Sequence, residues 1–250
     1  MLCAVDVYGV TQLHDIVYVV CYYSSSILNA TTHQRLPDIN VKDLRWPRDI
    51  AACEQTSQLY IPDRNSKCIW RVSADGADIR RWWWFIPWSL SVTSTRLLVT
   101  PQNTNQLMQL DSRGNELRRV QLPDYMIPHH AVESPTGTFI VRHYNNQLNQ
   151  NQVSEVNTRG EVLRQFSDLR SSTTFRWPLH VAVDSHGNIL VADNYIRRIL
   201  LLNAQLKLRR VIIDEDQLND EEPWRLCYME RTGQLLVGLK NRVAVFNVLR

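Results

Sequence analysis

Five prolines divide the chain into copies of one unit. Pro47, Pro87, Pro128, Pro178 and Pro223 each open a stretch in which a short apolar run, a turn and a second apolar run follow in the same order. The second runs align as Gln58-Leu-Tyr-Ile, Arg96-Leu-Leu-Val, Thr138-Phe-Ile-Val, Asn188-Ile-Leu-Val and Gln234-Leu-Leu-Val. A unit of roughly 40–50 residues built from short strands is the signature of a propeller blade. Propellers usually act by presenting a surface, so the question becomes which partner rather than which reaction.

The copy opened by Pro178 shows the unit most fully. His180-Val-Ala-Val-Asp184 reads as a strand, and Ser185-His-Gly-Asn188 as a turn by its Gly and Asn. A second strand, Ile189-Leu-Val-Ala-Asp193, leads through the loop Asn194-Tyr-Ile-Arg197 to a third, Arg198–Leu202, and Leu206 to Ile213 forms a fourth. Upstream of Pro47 a degenerate copy has Asp15–Val20 as second strand and Ser26–Asn29 as third, which brings the count to six. The expected fold is all-β: one domain over 1–250, a six-bladed β-propeller of four-stranded antiparallel blades. The sixth copy runs out after its third strand, Arg242 to Leu249, so the N-terminal strand, Leu2 to Asp6, is expected to supply the missing fourth and seal an otherwise exposed edge.

Trp177-Pro-x-x-Val-Ala-Val-Asp-Ser-x-Gly-Asn-Ile-x-Val-Ala-Asp193, followed by Arg198-Ile199, closely resembles an NHL repeat. The whole chain resembles the NHL propeller of tripartite-motif proteins. That resemblance implies recruitment of a protein target to a ubiquitin ligase whose RING lies outside this chain, or single-stranded RNA binding on the same face. Blade two keeps the Asp that ends the second strand, as Asp63. Asp63 and Asp193 are expected to hold their own loops through backbone hydrogen bonds, Asp193 with help from Arg198.

Five cysteines without a C-x-x-C pair fit reduced, buried thiols rather than a disulfide framework or a zinc finger. The longest apolar run, Ile16 to Tyr23, is far short of the ~20 residues of a membrane helix, and no signal peptide is read, so no membrane contact and a cytoplasmic location are expected. Net charge is only +3, but six acids fall between Asp214 and Glu222, which leaves the remainder basic. The bases are 24 arginines and four lysines, a bias toward planar contacts with carboxylate, phosphate or rings.

In a blade of this kind the loops between second and third strands share one face with the connections between blades. The residues expected on that face are Tyr22, Tyr23, Arg45, Arg64, Lys67, Trp84, Asn103, His129, Arg142, Tyr144, Arg176, Tyr195, Arg197, Lys240 and Arg242. Flat rings stack on bases or bury against a peptide, while guanidinium forks bind phosphate or carboxylate. The expected partner is a protein or peptide, with single-stranded RNA as the alternative. Trp46, Trp88, Trp177 and Trp224, next to the prolines, are expected to wedge between blades. One ring of Trp82-Trp83-Trp84 must point outward by strand alternation, and Trp84 is placed on the face. The paired arginines 80–81, 118–119 and 209–210 belong on outermost strands, where charge blocks edge pairing. Residues 142–152 carry seven side-chain amides in eleven positions and read as a long solvated loop.

No nucleophile elbow, phosphate loop or paired-Cys metal spacing appears, so no enzyme and no cofactor are expected. A lyase- or lactonase-like enzyme rests only on His129, His130 and His180 at the starts of inner strands. Some propellers similar to NHL domains, the peptidyl-hydroxyglycine amidating lyases, hold zinc through a His directly after the blade-opening Pro. Only His129 matches that placement, and a metal needs at least three ligands, so no metal is expected.

Overall fold

Runs such as Leu59-Tyr-Ile lack the apolar–polar alternation of a half-buried strand because both of their faces are covered. The computed structural model describes residues 6–30, 35–169 and 180–248. In it Leu59 and Ile61 pack toward blade one while Tyr60 packs toward blade three. Likewise Ile189 and Val191 face blade four, and Leu190 and Ala192 face blade six. Successive side chains of a strand point to opposite sides, so each blade shares one apolar cluster with each neighbour. Six such clusters run round the molecule, the last joining Val7, Val10 and Val19 of blade one to Met229, Leu236 and Val243 of blade six.

The sheets are the six blades of the sequence reading: antiparallel, in chain order from the axis outward, four-stranded in blades one to five and three-stranded in blade six among the described residues. The innermost strands are Val7–Leu13, Ala51–Cys53, Pro87–Thr93, Met126–Glu133, Val181–Val183 and Arg225–Met229. Each touches the next round a complete circle, with Val7–Leu13 lying against Arg225–Met229. The ring is thus closed at its hub by side-by-side inner strands. Of the segment expected to seal blade six, residues 2–5 lie outside the described residues. Asp6 is not in a strand; its carbonyl accepts the Tyr22 N–H, and the next N–H, of Val7, donates to the Lys240 carbonyl at 3.2 Å.

One further expectation changes. Residues 142–152 are not a long loop: Phe139–Asn145 and Gln150–Val156 are paired strands joined by a four-residue turn at 146–149. The amides that suggested solvation bond across the ladder, Asn145 Nδ2 donating to Gln152 Oε1 at 3.0 Å. The Asn145 side-chain oxygen also accepts the N–H groups of Gln147 and Leu148, which closes the turn. The four strands of blade four are seven or eight residues long, against three to six in blade five. The charged outer strands are as expected, with Arg80 paired to Asp78 and Arg119 to Glu116 on exposed edges.

The inner strands of blades one, three and four each carry a register shift, between Val7 and Gly9, between Pro87 and Ser89, and between Pro128 and His130. Tyr8, Trp88 and His129 are the extra residues of these bulges. A bulge re-aims one side chain without moving the strand, and here it turns each of these rings out of the ladder at the same end of the molecule. The following residue resumes the strand beside the axis. In blade one that residue is Gly9, where a Cβ would lie 2.6 Å from the backbone N of Ile50 and 2.7 Å from the carbonyl carbon of Asp49. Gly9→Ala is expected to cost about 2–3 kcal/mol as an overpacked contact, lowering the melting temperature by roughly 4–12 °C. A thermal melt unchanged within a degree would mean that blades one and two are not held at this spacing.

Candidate functional site

Counting from each blade-opening position, the second residue onward faces the axis. These residues are Asp49, Ser89, His130, His180 and Arg225, with Gly9 at the sixth place, and the five side chains are all buried. Ser89 Oγ lies 2.5 Å from both Asp49 Oδ2 and His130 Nδ1. The His130 and His180 rings stack with centroids 3.7 Å apart. Arg225 binds three blades at once: its Nε donates to the Tyr8 carbonyl at 2.7 Å, Nη2 to the Arg48 carbonyl at 2.7 Å and Nη1 to the Trp224 carbonyl at 2.9 Å. Nε also lies 3.7 Å from Asp49 Oδ1, so the one carboxylate of this layer is matched by a guanidinium.

Asp49, His130 and His180 bring potential ligand atoms within 4.8 Å of one another. The donor set does not complete a metal site. His180 Nδ1 accepts the Leu226 N–H at 3.3 Å, so in the neutral ring Nε2 carries the proton and has no lone pair for a cation. That leaves one His and one carboxylate, the latter already facing Arg225, where three ligands are needed. Nor is this layer arranged like a nucleophilic triad, in which the His stands between Ser and Asp. Here Ser89 stands between Asp49 and His130. Burial pushes His130 down to about 3 and His180 well below the usual histidine range, so both rings are neutral.

One residue earlier in blades two, three and four, the side chains of Arg48, Trp88 and His129 line a cleft on the face. A cavity of about 740 Å³ lies over blades two to four, lined on its apolar side by Trp46, Trp88, Met126 and Ile127 and on its polar side by Arg48, Arg64, Asn103 and His129. Arg48 is 7% exposed and lies beneath three rings, its guanidinium carbon 4.4 Å from the Trp88 centroid, 5.3 Å from Trp46 and 5.5 Å from Tyr8. The Arg64 guanidinium carbon also lies 4.7 Å from the Trp46 ring centroid. Burial, then the neighbouring Arg225, lower the Arg48 guanidinium to about 10, which leaves it charged at neutral pH. His129 is pushed well below its usual value by burial and by Arg142, and is neutral.

Second-to-third-strand loops and blade connections lie together. The N–H groups of Tyr22, Arg64, Gln102 and Asn146 bond to carbonyls of their own blade's entry segment, which ties second-to-third-strand loops to blade connections. Tyr22, Tyr23, Arg64, Asn103 and His129 gather at the cleft: the rings of Tyr22 and Tyr23 are 4.0 Å apart and lie 6.1 and 5.6 Å from Trp46. Asp63 holds its loop as expected, accepting the N–H groups of Arg45, Trp46, Asn65 and Ser66. Arg198 Nε reaches Asp193 at 2.9 Å.

Other candidates fall elsewhere. Arg142 is not on the face; it is 1% exposed, with Nη2 donating to Asn151 Oδ1 at 2.5 Å, because it belongs to a strand rather than a loop. Tyr144 bonds Asn149 across the blade-four turn. Tyr195 is exposed, but Arg197 is 3.6 Å from Asp220 and Arg242 is 2.6 Å from Glu221, so the acidic stretch occupies the arginines of blades five and six. Arg45, Lys67 and Lys240 are exposed and line no part of the cleft. Arg176 and Trp177 lie outside the described residues, as does the side chain of Trp84. Of the tryptophans expected to wedge between blades, Trp224 is buried against Tyr8, but Trp46 and Trp88 wall the cleft instead. His130 and His180 lie beside the axis as expected, the first within an inner strand and the second directly before one; Asp49, Ser89, Arg225 and, one place earlier, Arg48 carried no expectation, although their fixed offsets from the prolines mark them.

No family model matches the chain, and no curated protein matches it either. Solved structures do. The chain is similar to a chain of a nidogen/laminin complex at 15% identity, covering 88% of this chain and 84% of that one with a TM-score of 0.69. It is similar to the H270A virginiamycin B lyase of Staphylococcus aureus with quinupristin at 10% identity, covering 98% and 97% with a TM-score of 0.70. The WD40 propeller domain of Doa1 matches at 14% identity, covering 98% and 93% with a TM-score of 0.68. At these identities the likenesses establish the fold, and the chain is a six-bladed β-propeller.

Proposed function

We propose that this propeller is a non-catalytic recognition module that seats a peptide segment of a protein partner in the cleft over blades two to four. The observation that carries the reading is the cleft itself, a cavity of about 740 Å³ with an aromatic and aliphatic wall and a few converging polar groups, the usual make-up of a ligand site. One similar fold, a chain of the nidogen/laminin complex, is consistent with a propeller used for contact. The similar lyases would suggest chemistry, but the Asp49–Ser89–His130 order and the neutral, buried histidines favour a structural hub. Tripartite-motif-like recruitment to a ubiquitin ligase would use the same peptide recognition and is a narrower form of this reading.

Peptide is favoured over single-stranded RNA because the face is mixed in charge. Arg197 and Arg242 are neutralised by Asp220 and Glu221, so a phosphate backbone crossing from the cleft would meet an acidic rim. The test uses two random dodecapeptide libraries, one embedded within a carrier protein and one at the carrier's free C terminus. Enriched peptides are expected to lose at least tenfold in affinity on Arg64→Glu or Trp88→Ala, both checked for folding, and to be unaffected by Lys240→Glu. Failure of any peptide to enrich, or indifference of enriched peptides to both substitutions, removes the reading. A random single-stranded RNA pool that bound instead, with steep salt dependence, would replace peptide by RNA.

A further inference from the structure

We propose that the cleft recognises the free C-terminal carboxylate of its peptide partner together with the apolar side chain of the last residue. This inference rests on the peptide-recognition reading above and specifies which part of the peptide enters.

The cleft holds a charge without a partner. The Arg48 guanidinium is more than nine-tenths buried and lines the cleft, yet among the described residues it makes no ion pair and its side chain donates no hydrogen bond. Ring faces surround it, and they soften the cost of its charge without offering lone pairs to its N–H groups. The charged and ionisable groups that act on it are Arg225, Arg64 and the phenols of Tyr8 and Tyr22, with no carboxylate among them. The buried carboxylates nearest the axis are committed, Asp49 to Arg225 and Asp193 to Arg198. Arg64, the second guanidinium of the cleft, also makes no ion pair among the described residues. An unpaired buried charge is costly, and two like charges over one indole repel each other. Both penalties disappear when an anion occupies the cleft.

Further donors point the same way. The indole N–H of Trp46 and the hydroxyl of Thr104 are buried, line the cleft and have no protein partner, and Nδ1 of His129 beside them is likewise unpartnered. Asp124, the acid of the lining, accepts Asn105 Nδ2 at 2.9 Å and stands at the rim. The floor is therefore donor-rich, and a carboxylate accepts from several donors, including two from one guanidinium fork.

The apolar wall decides what carries the carboxylate. Trp88 lies 4.4 Å from the Arg48 guanidinium, and Met126, Ile127 and Pro128 line the same cleft. A C-terminal residue projects a carboxylate and its own side chain from one carbon, so a single residue satisfies the arginines and fills the apolar wall. An internal Asp or Glu spends its side chain on the charge and leaves the wall to a neighbour. Rim amides at Gln102, Asn103 and Asn105 suit the preceding peptide groups, since each both donates and accepts.

The experiment is a panel of fluorescein-labelled hexapeptides ending in each of the twenty amino acids, prepared as free acids and as C-terminal amides, with amidated peptides carrying an internal Glu as a third arm. Free acids ending in an apolar or aromatic residue are expected to bind, and amidation to weaken them at least tenfold. Arg48→Met is expected to bring the free acid down to the level of the amide. Should Arg48→Met fail to fold, Arg64→Gln at the half-buried rim and the acid–amide comparison on the unsubstituted protein distinguish the same outcomes. Acid and amide binding within twofold of each other, or best binding by the internal-Glu amides, overturns the carboxylate proposal and leaves peptide recognition standing. Binding of no peptide in this panel or in either library overturns both.

Discussion

Arg225→Met is expected to destabilise the propeller by about 3–5 kcal/mol, the cost of breaking a buried charge pair by removing one partner. Met fills much of the volume of the stem, so the loss reports the guanidinium rather than a hole. Three carbonyls, from Tyr8, Arg48 and Trp224, lose their donor together, and they belong to blades one, two and six. Asp49 is left buried beside Ser89 without its countercharge. At about 2–4 °C per kcal/mol for a domain of this size, the melting temperature should fall by roughly 6–20 °C. Asp49→Asn on its own should cost less, and the double variant should be more stable than the sum of the singles predicts, with a coupling of about 1–3 kcal/mol. A loss below 1 kcal/mol in Arg225→Met would show that the seam between first and last blades is held elsewhere.

Acid should unfold this protein early. His129, His130, His143 and His180 are buried, and burial, the largest cause at each, depresses all four; His130 and His143 fall to about 3. Their charged surroundings explain why no proton is welcome: Arg142 acts on His129, His130 and His143, and Arg225 on His130 and His180. Asp49 lies 3.7 Å from His130, but it already faces Arg225, so a histidinium there would add an unmatched charge.

Each depressed histidine contributes stability that is complete above its unfolded value near 6.5 and is lost as pH falls toward the folded value. The slope is about 1.4 kcal/mol per pH unit for each group, or about 5–6 for four. A domain of about 5–15 kcal/mol would then lose its fold within about one to three units below pH 6.5. Asp49 works in the opposite direction, since its pKa is raised by burial and it gains a proton more readily in the fold. It offsets at most one proton of four. Urea titrations at half-unit steps from pH 7.5 to 4.5 measure the slope, and His143→Asn should lower it by about one proton. A slope below one proton per molecule would contradict neutral, buried histidines.

The fold was legible because the second strand of each blade is apolar on two sides and the hairpins end in turn chemistry. Asp184 and Asn188 of blade five bond round their Gly187 turn much as Asp111 and Asn115 do round Gly114 in blade three. Strand ends were less legible where polar side chains bond to one another, as Asn145 does to Gln152, because such residues look solvated until a cross-strand partner is known. The face could be placed from loop order alone, and Arg64, Asn103 and His129 did gather there. Charge state could not be read that way. Whether Arg242 meets a ligand or Glu221, and whether Arg48 meets anything, depends on contacts between residues far apart in the chain. Asp49, Ser89 and Arg225 were hidden because the axial position falls two places after each proline rather than next to it.

The inner-strand bulges separate two kinds of evolutionary freedom. Tyr8, Trp88 and His129 stand out of the hydrogen-bonded ladder, whereas their successors Gly9, Ser89 and His130 hold the hub. Exchanging Trp88 or His129, which line the cleft, should therefore rewrite what the molecule binds while the hub layer stays in place, whereas Tyr8 is buried against Trp224 and belongs to the scaffold. A library randomised at Trp88 and His129 is a natural starting point for retargeting it.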